Sequence, residues 1–139
     1  MVRKASLYWI LDGHTPVPVG DPMVWARFMV NGDLRQVALS HIHTDEADEV
    51  TVSTVFLGLD HNWAHNGPPL FFESLVFGGP LDGELYRYPT WADAEAGHAV
   101  LIDEAIIEGK VAAWEVRNRL AAIGRRAALT TNQRKENYD

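Results

Sequence analysis

The chain has 139 residues, 47% apolar and 22% charged, which suits one globular domain and excludes intrinsic disorder and collagen-like repetition. It has no cysteine, so disulfide frameworks, thiolate metal sites and cysteine nucleophiles are excluded together. The net charge of −7 is uneven: positions 1–109 hold 16 acidic and 5 basic side chains, a balance of −11, and positions 110–139 hold 3 and 7, a balance of +4.

No apolar run approaches the roughly 20 residues that cross a bilayer, and the first residues lack the long apolar stretch of a secretory signal. The expectation is a cytoplasmic protein with no membrane partner.

In chain order, Leu7–Leu11 is aromatic and β-branched and is closed by the turn pair Asp12-Gly13, which predicts a strand. Pro16 and Pro18 keep the next segment extended and edge-like. Asp21 followed by Pro22 starts a short helix, whose packing stripe is Val24, Trp25, Phe28 and Met29, and Asn31-Gly32-Asp33 ends it. A strand follows from Leu34 to about Ser40. The run Val50–Leu57 is the strongest strand in the chain. It is apolar on both parities, which predicts a central strand covered on both faces. Leu70–Phe77 is a second strong strand, and Leu85–Tyr88 a short extended piece.

Thr90 then caps a long helix, with Asp93 three residues on and a buried stripe of Ala94, His98, Leu101, Ile102 and Ala105. Gly109 marks a break or kink. Beyond it Ala113, Val116, Leu120, Ile123 and Ala127 step by three and four, as in a coiled-coil seam, flanked by Arg117, Arg119, Arg125 and Arg126. The expected organisation is a core over 1–109, a basic helix over 110–128 and a polar tail over 129–139. The fold class is α+β: an antiparallel sheet of about four strands, a short helix after the first strand, and a long C-terminal helix on one face. The basic seam lacks an internal partner, which predicts self-association. Nucleic acid is the less favoured reading of those four arginines, because no interleaved aromatics accompany them.

Two histidine pairs could suggest a metal. His41, His43 and Asp45 form an H-x-H-x-D run, as in metallo-β-lactamase-type hydrolases, but the chain is shorter than that fold needs. His61 and His65 are spaced i, i+4 with Asp60 adjacent, while Asn66-Gly67-Pro68 argues for loop. Turn formation by Asp60 is the simpler account. No metal ligand or cofactor is therefore assigned.

Glu73 stands within an apolar strand, where an unpaired carboxylate is costly. It is either a pocket group or the partner of an arginine such as Arg87. His98 on an apolar helix face is either a hydrogen-bonded core residue or a site group near Glu73, Ser53 and Thr54. Gly78–Gly83 has P-loop-like glycine spacing but lacks the following Lys-Ser/Thr, and neither G-x-S-x-G nor G-x-G-x-x-G occurs. No catalytic residue is assigned.

The segments LDGHTPVP (11–18), VSTVFLGLDH (52–61), PPLFFE (68–73), VFGG (76–79) and TWADAEAGH (90–98) occur in the order shared by a group of small uncharacterised proteins encoded by bacteriophages and prophages. The chain resembles that group over about 7–107. The resemblance implies a phage setting inside a bacterial host cell and no particular chemistry.

The expected function is a non-catalytic phage accessory protein that binds a small molecule, such as a nucleotide signal in counter-defence, or a host protein. The expected ligand-binding residues are Thr54, Asp60, His61, Glu73, Tyr88, Trp91 and His98. The alternatives are a metal-dependent hydrolase using a His/Asp cluster, and an interaction protein of the virion or host takeover acting through the C-terminal helix.

Overall fold

The computed structural model describes residues 7–42 and 49–106. Strands β1 (Tyr8–Asp12) and β2 (Thr15–Val19) form an antiparallel hairpin that turns at Gly13-His14, with Asp12 paired to Thr15. Helix α1 (Pro22–Met29) starts where Asp21 accepts a hydrogen bond from the Met23 amide, with proline at its first turn. A single turn, α2 (Gly32–Arg35), is capped by Asn31. Strands β3 (Gln36–Ile42), β4 (Val50–Phe56), β5 (Phe72–Phe77) and β6 (Leu85–Tyr88) form one antiparallel sheet in that spatial order. Helix α3 (Trp91–Ile106) contacts all four strands.

The α+β class with its four-stranded sheet and face-packed helix is as the sequence indicates. One pairing differs. The first strand pairs with the Pro16–Pro18 segment in a separate hairpin and does not join the main sheet. Each proline lacks an amide donor, so this segment suits a two-stranded ribbon better than a sheet interior.

The core lies between α3 and one sheet face. Val52, Phe56, Phe72, Val76 and Leu101 are fully covered there, each side chain contributing roughly 1.5–3 kcal/mol on burial. The hairpin and α1 close one end of this layer. Trp9 packs on Phe71, Phe28 sets its edge on Phe56, and the Gly58 carbonyl accepts from both the Trp9 amide and the Trp25 indole.

Strand β4 is central, as expected, but it is not covered equally on both faces. Val50, Val52, Thr54 and Phe56 are buried, whereas Thr51, Ser53 and Val55 are half-buried on the face away from α3. Among the described residues no helix covers that second face.

The break at Gly109, the 110–128 helix and the 129–139 tail lie outside the described residues. No helix among the described residues is long and apolar enough to cross a membrane.

Candidate functional site

Strand alternation and register place Ser40, Thr54 and Ser74 on the face beneath α3. Two turns into α3, His98 projects from the buried stripe onto them. Its Nδ1 lies 2.7 Å from Thr54 Oγ1 and its Nε2 2.9 Å from Ser40 Oγ. Thr54 Oγ1 in turn lies 2.6 Å from Ser74 Oγ. The result is a hydrogen-bonded chain, Ser74–Thr54–His98–Ser40, spanning three strands.

A neutral imidazole has one donor and one acceptor nitrogen, and the chain satisfies both tautomers. Ser74 can donate to Thr54, Thr54 to Nδ1, and Nε2–H to Ser40, or every bond can reverse. Burial holds the His98 pKa below the usual 6.5, so the ring is neutral at pH 7.

Outside this chain, an open groove of about 360 Å³ runs between α3 and β3. Val37, Ala38, Ala99 and Ile102 give it an apolar floor, and His98 also lines it. Glu95 and Asp103, both exposed, stand at its sides. They are eight positions apart on the helix, about 12 Å along the axis. Neither forms an ion pair among the described residues.

The structure divides the seven sequence-predicted residues. Thr54 and His98 are brought together beneath α3. Tyr88 is buried on the same side, its ring against Gly97. Burial pushes its hydroxyl up to about 12, and Ser74 stands near enough to offset part of that rise without a well-formed hydrogen bond. Tyr88 does not line the groove.

Trp91 has one ring face covered by His14, with centroids 3.7 Å apart and planes 3° from parallel, and meets Phe72 edge-on. One of its two stacking faces is thus occupied within the fold.

Glu73 lies on the opposite sheet face from His98, so the two do not share a pocket. Its Oε2 accepts from Arg87 Nε at 3.0 Å, directly across the β5–β6 register. Asp60 Oδ1 accepts from the Asn62 and Leu70 amides, pinning both ends of the loop. His61, beside Trp63, has its pKa lowered by burial and then by Arg87, against the opposing pull of Glu73 and Asp60. These three residues form a second cluster around a structural ion pair.

Among the described residues, no group of three or more His, Asp or Glu side chains is close enough to hold a metal. Asp60 is committed to its loop, His65 is exposed at a positive φ of 53°, and they do not join His61 as ligands. His41 Nδ1 meets Glu49 at 2.9 Å, while His43 and Asp45 lie outside the described residues.

Sequence reasoning missed Ser40, Ser74, Glu95 and Asp103. Shared strand parity with Thr54 could have found the serines once the register was known. The two carboxylates look like ordinary solvated helix residues until Val37 and Ala38 are placed opposite them. Comparison with protein-family models, curated proteins and solved structures gives no match, leaving the chemistry of the groove as the guide to function.

Proposed function

We propose that the chain is a non-catalytic binding protein that holds an elongated small cation, of the diamine or polyamine class, in the α3–β3 groove. The carrying observation is the pair Glu95 and Asp103, set two helical turns apart beside an apolar floor. Two carboxylates at that spacing suit a ligand with a positive group at each end and a hydrocarbon stem between. A nucleotide signal fits less well, because its phosphates would face both carboxylates and, among the described residues, no cation lines the groove.

Catalysis is not supported by the Ser40–His98 pair. Thr54 occupies the place of a triad carboxylate, and a hydroxyl cannot stabilise an imidazolium as a carboxylate does. In the phage setting implied by the sequence resemblance, such a protein would be an accessory factor that sequesters its ligand.

Thermal unfolding at low salt tests this. Spermidine at a hundredfold excess over its Kd should stabilise the protein by about 2.7 kcal/mol, a rise of several degrees in Tm. The rise should vanish in the Glu95→Gln/Asp103→Asn variant. A rise with cyclic di-AMP instead, or a spermidine effect indifferent to the double substitution, would contradict the proposal.

A further inference from the structure

The acid-flanked groove and the buried hydroxyl chain meet at one side chain. Among the described residues, His98 alone both lines the groove and belongs to the Ser74–Thr54–His98–Ser40 chain. We propose that ligand and proton compete at this junction: a cation held by Glu95 and Asp103 keeps His98 neutral, and a proton on His98 weakens the hold on the cation. This coupling rests on the reading of the groove as a cation site.

The hydrogen-bonded chain allows the ring to take up a proton in place. In the tautomer with its hydrogen on Nδ1, that N–H donates to Thr54, Thr54 donates to Ser74, and Ser40 donates to Nε2. A proton added at Nε2 needs only the Ser40 hydroxyl to turn from donor to acceptor, and the other two bonds keep their direction. Ser40 is half-buried on β3, the strand that supplies Val37 and Ala38 to the groove.

The imidazolium so formed would meet hydroxyls and no carboxylate. Facing it are Ser40 from β3, Thr54 from β4 and Ser74 from β5. Tyr88 from β6 stands near Ser74 with its hydroxyl pushed up to about 12, so it carries no charge in mild acid. The acidic neighbours are on α3 itself: Glu95 and Asp103 in the groove, and Asp93 and Glu104 on the buried side.

Glu95 precedes His98 by three residues, a spacing that brings Cβ atoms to about 5–6 Å on one helix face. An ammonium seated on Glu95 therefore lies inside the Debye length of about 10 Å in 0.1 M salt. It repels an imidazolium and cancels the attraction that Glu95 would offer one. Burial already holds the His98 midpoint below 6.5, and a bound cation moves it further down. Affinity is thus highest with the ring neutral, near pH 7, and falls as the pH drops through that midpoint.

The test is a pH titration of the His98 ring in full-length, carbon-13-labelled protein. Its Hε1–Cε1 resonance is separated from those of the other five of the chain's six histidines by through-bond assignment. At constant ionic strength, saturating spermidine should lower the midpoint by about 0.5–1 pH unit. By linkage, the spermidine Kd should rise at least by the same factor, about three- to tenfold, between pH 7.5 and a pH below the midpoint. In Glu95→Gln/Asp103→Asn the ring should still titrate but no longer respond to spermidine. Spermidine that binds at pH 7.5 yet leaves the midpoint in place, raises it, or moves it no more than sodium chloride of equal ionic strength would overturn the coupling alone. A shift that persists in the double variant would do the same. No spermidine binding at pH 7.5, with the ring titrating normally, would overturn the cation reading of the groove and the coupling with it.

Discussion

His98 illustrates how one side chain can order a sheet interior. A histidine without partners at this depth would leave two buried polar nitrogens exposed to no water, each costing about 1–3 kcal/mol. Thr54 and Ser40 remove that cost and fix the rotation of the ring about its own axis. Desolvation remains as the force on its proton. The native state binds that proton less readily than the unfolded chain, whose histidine keeps the ordinary value of 6.5. The stabilising contribution is therefore fully present above pH 6.5 and is lost as the pH falls through the lowered native pKa. His61 acts in the same direction. Urea midpoints measured from about pH 7.5 to about pH 5 should fall, and should fall less steeply in His98→Asn. A variant with the wild-type slope would show that His98 is not a source of the pH dependence.

Among the elements, α3 is set on the sheet by small residues as much as by large ones. Gly97 is buried with the Tyr88 ring lying directly against its Cα, so that an added Cβ would overlap the aromatic carbons and the hydroxyl. The ring is itself fully buried and has no room to turn away. Gly97→Ala, usually favourable in a helix, should here cost about 1–3 kcal/mol through overpacking. Equilibrium urea unfolding reads this, and a stabilised variant would mean that α3 can lift from β6 freely.

The same helix shows what could be read in advance. Its Thr90 cap, confirmed by the bond from the Asp93 amide, and the positions Ala94, His98, Leu101 and Ala105 were legible because capping and helical spacing are local properties. The Glu73–Arg87 pair was legible as an option because a strand carboxylate needs a partner. The Gly97–Tyr88 contact, the Ser40 and Ser74 partners of the histidine chain, and the pairing of the first strand were not. Each depends on which strands are neighbours and in what register, which no local pattern encodes.

At the scale of the whole molecule, the sheet separates two surfaces of different character. Beneath and beside α3 lie the polar chain and the acid-flanked groove; on the other side lie Leu39, Leu75 and Leu85 and the Glu73–Arg87 pair. Of the two readings of His98, the hydrogen-bonded core residue holds and the cavity shared with Glu73 does not, since alternate strand residues face opposite sides. Because Glu95 and Asp103 are exposed, binding in the groove should be salt-sensitive. The most direct measurement is a titration of the full-length, isotope-labelled protein with spermidine, followed by amide resonances in low salt. Shifts should concentrate at Val37, Ala38, Glu95, Ala99, Ile102 and Asp103, saturate with ligand, and diminish as salt is raised. Saturable shifts centred instead on His61, Glu73 and Arg87, or no saturable shifts at all, would contradict the groove as the binding site.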